Sequence, residues 1–297
     1  MEPLRRVGHH AQIMASCSPD SASSRGVNNK SIPCSDGFVL KATHYEGGEH
    51  AIVIAPAMGV ARRYYDAFAT FLAGNGKSVV TFDYRGIADS KPPSLRRFNG
   101  SLTDWGRLDL AAVIDWTSRA LKPRRISLVA HSAGGQIVGL AANAGLLDRV
   151  VIVTAGSGYW KHWSGLRRIG IRLLWQVMPP VARTLGFFPS RALRLGNHDL
   201  PREVAVDWAT WGRHPEYLFG FHDNEPYRAL RVPMLVWSAE GDHYAPRPAV
   251  EALIKHYENA SIEHRRIEDL LVRHWGFFRK ATGETFWRET LEWLEKA

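Results

Sequence analysis

Ile126-Ser127-Leu128-Val129-Ala130-His131-Ser132-Ala133-Gly134-Gly135-Gln136-Ile137-Val138 is the stretch on which the reading of this chain turns. An apolar run of the length of one buried strand stops at a serine flanked by small residues, and a helical pattern starts at once. Only small side chains let a backbone turn that sharply, so the Ser132 hydroxyl is expected at the apex of a strand-to-helix turn. The amide of Ala133, first in the following helix, is then free to donate toward a developing negative charge. A glycine usually opens such a turn. Here Ala130 holds that place, a departure of one methyl group.

Working outward, apolar runs at Ala51–Ala55, Ser78–Asp83, Ile126–Ala130, Val150–Thr154, Met234–Ser238 and Ser261–Ile267 read as strands. Tyr64–Gly74, Leu102–Leu121 and Ala133–Leu147 carry apolar stripes at helical spacing. Phe38–Tyr45, after a Ser-Asp-Gly turn, reads as a hairpin strand. Short strands apolar on both faces and separated by helices imply an α/β protein. Its sheet should be mostly parallel, with an antiparallel start and helices on both faces.

One block breaks the alternation. About 75 residues without a strand pattern separate Thr154 from Met234, and they hold Trp160, Trp163, Trp175, Trp208 and Trp211. A structureless loop of that length is improbable in a compact domain, so a helical lid over the sheet is expected at 156–227. The core is then 31–155 with 228–297, and residues 1–30, rich in Ser, Asn, Arg and His, read as a disordered leader. Trp160, Trp163 and Trp175 are candidate substrate contacts, against the plainer reading that they fasten the lid to the body.

A serine at the carboxyl end of a central strand lies where open α/β sheets bind ligands. Its chemistry needs a carboxylate and then a histidine further along. Met234–Ser238 runs into Glu240-Gly241-Asp242, closed by Pro246, and the glycine favours Asp242 over Glu240 at the turn. Among 13 histidines, His274 alone follows the final strand and precedes the final helix, whereas His264 sits in a strand pattern and His256 in a helical one. Ser132 would attack, His274 would carry the proton, and Asp242 would orient the ring. The second oxyanion donor is expected from Pro56-Ala57-Met58-Gly59, with the Met58 amide favoured. Ala57 and Gly59 are small enough to let backbone approach substrate. His131 is expected to pack behind the turn.

The totals set the bounds. The 297 residues are 45% hydrophobic and 23% charged, ordinary for a globular chain. No apolar run approaches the roughly 20 residues of a membrane span. The N-terminus lacks an apolar signal core, so a cytoplasmic protein without stable membrane insertion is expected. Cys17 and Cys34, both near the start, exclude a disulfide scaffold and a multi-cysteine zinc module. No metal or cofactor is called for. The net charge of +9 comes from scattered arginine pairs, the pattern of a solvated surface rather than a nucleic-acid tract. Arg167, Arg168, Arg172 and Arg183 in the lid would also suit anionic lipid, but a lid gives the same pattern.

Taken together, Ile54–Val60, Asp83-Tyr84-Arg85-Gly86-Ile87-Ala88-Asp89-Ser90, Ala130–Gly135 and His274-Trp275-Gly276-Phe277-Phe278-Arg279 resemble the α/β-hydrolase superfamily. Within it they look like the serine aminopeptidase (S33) and monoacylglycerol-lipase-like branch, in a bacterial group of α/β hydrolases. The resemblance implies the triad Ser132, Asp242 and His274, and a structural role for Asp83–Gly86 in a turn near the pocket. Pro56-Ala57 stands where many relatives carry His-Gly. A serine nucleophile argues against the dehalogenase and epoxide-hydrolase branches, which attack with a carboxylate. The expected function is hydrolysis of an ester, thioester or amide through an acyl-enzyme, acting on a small-molecule acyl substrate. The alternatives are a ligand-binding protein without chemistry, or an amidase or peptidase. No acidic cluster for a free amino terminus is recognisable; Glu203, Asp207 or Glu216 would serve only by coincidence.

Overall fold

The computed structural model describes residues 26–193 and 196–296. Within them the strands are β1 (Val27–Pro33), β2 (Val39–Tyr45), β3 (His50–Ala55), β4 (Ser78–Phe82), β5 (Arg125–His131) and β6 (Arg149–Val153). A short ladder of β7 (Phe187–Phe188) with β8 (Leu200–Pro201) follows, and then β9 (Pro233–Ala239) and β10 (Ser261–Ile267). Eight strands form one sheet in the order β1-β2-β4-β3-β5-β6-β9-β10. The first two pairings are antiparallel and the rest parallel.

The central strands separate two cores by the alternation of their side chains. Val53, Ala55, Leu128, Ala130, Ile152 and Val236 face one. Ile52, Ile54, Val129, Val151, Val153, Leu235 and Trp237 face the other. Burial on both faces explains why these runs are continuously apolar. The helices are α1 (Asp66–Gly74), α2 (Leu102–Asp104), α3 (Ala111–Trp116), α4 (Ala133–Gln136), α5 (Gly165–Leu185), α6 (Arg202–Arg213), α7 (Glu225–Arg228), α8 (Arg247–Ile254) and α9 (Lys280–Glu295). Helical turns of π type complete the run from Leu102 to Leu121.

Two expectations need correction. The segment assigned to a leader up to residue 30 already contains the start of β1, whose register pairs Val27 with Tyr45 and Lys30 with Ala42. Asn28, Asn29, Lys30 and Ser31 hide an edge strand because only one of its sides is covered. The rest of that segment, with Cys17, lies outside the described residues.

The helix expected at Ala133–Leu147 is broken. Four residues of α4 give way to tight turns at Val138–Leu140 and Ala144–Leu146. The Tyr227 hydroxyl donates to the Gln136 carbonyl at 2.7 Å and the Tyr257 hydroxyl to that of Gly135 at 3.4 Å, taking acceptors a continuing helix would use. Gly139 lies against the Tyr227 ring, which a Cβ there would meet at 2.5 Å.

Register carries the consequence for function. Ala55 pairs with Ala130, His131 with Val153, and Val153 with Trp237, so β3, β5, β6 and β9 all end at one rim. The loop after β3, Ser132 after β5 and the turn after β9 therefore emerge side by side.

Candidate active site

Ser132 occupies the rim in a backbone conformation side chains seldom adopt, with φ 50° and ψ −113°. Such a residue costs roughly 1–3 kcal/mol and persists only where its surroundings hold it. Here its amide donates to the Val153 carbonyl at 3.0 Å, and its own carbonyl accepts from the amides of Gly135 and Gln136. Gly134 is obligatory, since a Cβ there would sit 2.6 Å from the Ala55 carbonyl oxygen.

His274, in the loop after β10, brings Nε2 to 3.0 Å from Ser132 Oγ and Nδ1 to 2.9 Å from Asp242 Oδ2. The other carboxylate oxygen of Asp242 accepts from the amides of Tyr244 at 2.7 Å and Ala245 at 3.1 Å. Those two bonds fix the carboxylate plane and leave Oδ2 for the imidazole. His274 and Asp242 are both buried, and Ser132 is partly open. The other candidates point elsewhere. Glu240 pairs with Arg266, His264 bonds Ser238 within the sheet, and His256 stacks on Phe219.

A hydroxyl, an imidazole and a carboxylate in this sequence can pass the hydroxyl proton to the ring while the carboxylate stabilises the cation. The Ala133 and Met58 amides find no protein acceptor among the described residues. They are the donors free to meet an oxyanion. The neighbouring Ala57 amide is engaged, donating to Tyr65 Oη at 2.8 Å.

That engagement belongs to a chain of bonds beneath the rim. The Tyr65 hydroxyl meets His131 Nδ1 at 2.9 Å, and His131 Nε2 meets the His274 carbonyl at 3.0 Å. Because Nε2 faces an acceptor it carries the proton, so Nδ1 accepts from the tyrosine. His131 is fully buried, and desolvation, with His274 nearby, holds its pKa well below that of a free imidazole. It therefore stays neutral and ties the loop after β3, the Ser132 turn and the His274 loop together.

A cavity leads from Ser132 and His274 under α5, where Ile171, Leu174, Trp175 and Met178 line it. Gly59, Trp163 and Trp175 reach this cavity, whereas Ala57 is buried beside it and Trp160 stands outside under the Arg172 guanidinium. Tyr244 and Trp275, given no site role in the sequence reading, stand at the cavity mouth and also line an open polar depression with Arg191 and Arg279. Their position just after Asp242 and His274 is the signal that could have found them. Glu203 pairs with Arg202, Glu216 with Lys255, and Asp207 bonds Thr103, so these carboxylates are committed outside the cavity. Among the described residues no three His, Cys, Asp or Glu side chains converge as metal ligands would.

The segment expected to close a turn does so with buried charge. Asp83 accepts from the amides of Arg62 and Asp89 and pairs with the Arg62 guanidinium, while Arg85 bridges Asp109 and Asp36. Tyr84 stacks on Trp105 at 4.5 Å.

Three comparisons with known proteins complete the picture. Curated protein sequences yield no match. Solved structures share the fold at low identity. An esterase from Exiguobacterium antarcticum has a TM-score of 0.60 and 15% identity, over 91% of this chain and 100% of its own. An esterase from Pyrococcus furiosus has 0.61 and 14%, over 91% and 90%. A thermophilic esterase from Thermogutta terrifontis has 0.56 and 15%, over 90% and 98%. A model described as the alpha/beta hydrolase family matches residues 52–279, from β3 to the end of the motif that begins at His274. The eight-stranded sheet, its parallel core and this match across most of the sequence have one meaning: the chain belongs to the alpha/beta hydrolase family.

Proposed function

We propose that the protein is a serine hydrolase that cleaves a small carboxylic ester through an acyl-enzyme. The observation that carries this reading is the unbroken contact from Ser132 Oγ through His274 to Asp242 at the mouth of an apolar cavity. Ser132 attacks the carbonyl carbon and its proton passes to His274 Nε2. The tetrahedral oxyanion is held by the Met58 and Ala133 amides, and His274 returns the proton to the leaving oxygen. Water, deprotonated by the same ring, then attacks the acyl carbon. The bond to Ser132 Oγ breaks, the ring returns its proton to that oxygen, and the acid leaves. Asp242 orients the imidazole throughout.

The acyl group lies against Ile171, Leu174 and Met178, and residues 156–227 act as the lid that shapes this space. An ester is favoured over a peptide because, among the described residues, no free carboxylate lines the cavity to receive an amino terminus. A set of p-nitrophenyl esters of increasing acyl length, run beside amino-acid p-nitroanilides, tests both statements. Turnover of the esters, lost in Ser132→Ala, supports the reading. Turnover of the anilides alone would move the protein to the amidases, and no turnover with a tightly bound ligand would make it a binding protein.

A further inference from the structure

The 21-residue helix α5 has two apolar faces, and among the described residues only one of them is covered. Ile171, Leu174, Trp175 and Met178 turn inward onto the cavity. On the opposite side Leu166 is 87% exposed, Ile169 56%, Leu173 53% and Val177 53%. At 100° per residue these four fall within an arc of about 80°, and they run for roughly 17 Å along the helix. Single exposed aliphatics are ordinary on a protein surface. Four in register on one helix are a patch that needs an occupant.

Charge narrows the choice. Between Lys161 and Leu185 there is no aspartate or glutamate, and the segment holds Lys161, Arg167, Arg168, Arg172 and Arg183. Helical spacing puts Arg172 and Arg183 together on one flank of the stripe, while Arg167 falls toward the inward side. None of these three is in an ion pair among the described residues. If a second copy covered the face through a two-fold contact, the patch would meet itself and arginine would oppose arginine. An anionic lipid surface offers acyl depth for the stripe and phosphates for the arginine flank beside it.

We infer that α5 is an interfacial helix that docks the protein on anionic membrane surfaces, its outer stripe in the headgroup region and its inner face on the cavity. No helix among the described residues is long and apolar enough to cross a membrane. The inference goes beyond the proposed function and does not rest on it.

The test is co-sedimentation of the full chain with vesicles of phosphatidylcholine alone and of phosphatidylcholine mixed with phosphatidylglycerol, at low and high salt. Binding to the anionic vesicles should exceed that to the neutral ones by about tenfold and should weaken with salt. Arg172→Gln with Arg183→Gln should lower it by roughly fivefold per arginine. Leu166→Ser with Leu173→Ser should abolish it. Both pairs lie at exposed positions, so the melting temperature and turnover of a soluble ester should stay at wild-type values. Absence of binding, equal binding to both vesicle types, or binding that survives the double leucine variant would overturn the inference. So would a concentration-dependent dimer in sedimentation velocity, abolished by the leucine variant, in a protein that ignores vesicles.

Discussion

The rim of the sheet and the block between β6 and β9 are held in different ways. At the rim, Ser132, the Met58 loop and the Asp242 turn each follow directly from a strand whose neighbours fix it by backbone ladders. Their relative positions are set by hydrogen bonds that no single side chain controls. The block over the rim is fastened by side chains. Trp175 donates to the Gly158 carbonyl, Trp163 donates to that of His243, and Trp175 meets Trp208 edge-on at 4.8 Å. The three convergent side chains thus sit on the part fixed by backbone, and the cavity is lined largely by the part fixed by side chains. A substitution at the rim should change the rate for every substrate, and one in the block should change which substrate is preferred.

The largest effect tests the rim. Ser132→Ala should lower kcat by about 10⁶ and Asp242→Asn by about 10⁴, with similar losses for every acyl length. A loss that depended on acyl length would blur the division between the two regions.

Next comes the buried chain beneath the rim. Tyr65→Phe leaves the Ala57 amide and His131 Nδ1 without partners, which costs about 1–3 kcal/mol of stability for each. It should also lower kcat by roughly tenfold at unchanged KM, since a misplaced oxyanion donor is felt only in the transition state. A Tyr65→Phe enzyme with wild-type kcat would show that the oxyanion loop needs no such tether.

In the block, Leu174→Trp should lower kcat/KM for the longest accepted ester by about tenfold and leave that for acetate nearly unchanged. Equal losses for both esters would place Leu174 in the chemistry rather than in the pocket.

The smallest effect concerns how the block docks. Asp207 on α6 bonds Thr103 on α2, and burial raises its pKa to about 6. A carboxyl raised above its unfolded value stabilises the fold below that unfolded value, about 3.8, and the benefit is lost as pH rises through about 6. Asp207→Asn should therefore gain on the wild type by about 1 kcal/mol between pH 5 and pH 8. Thermal melts at the two pH values measure it, and an unchanged difference would contradict the assignment.

The same contrast explains what could be read from the sequence. Strands apolar on both faces, a small-residue turn after Ala130 and the order of Ser132, Asp242 and His274 all leave local marks, so the fold class and the meeting of those three side chains were legible. The broken helix after Ala133 was not, because the tyrosines that capture its carbonyls lie about 90 and 120 residues downstream. Composition marked the block as aromatic but held no direction. Trp163 and Trp175 turn to the cavity, whereas Trp160 turns under an arginine. Nor could the outward stripe of α5 be told from an inward one, since both faces of that helix carry leucine and isoleucine.

Everything proposed for the rim reduces to whether one hydroxyl is activated by its neighbours. Reaction with a fluorophosphonate, followed by peptide mass spectrometry, asks that directly. A single adduct on Ser132, absent after His274→Ala in a protein that still folds, is the expected result. An unmodified Ser132 in the folded wild type, or an adduct that forms equally fast without His274, would contradict it.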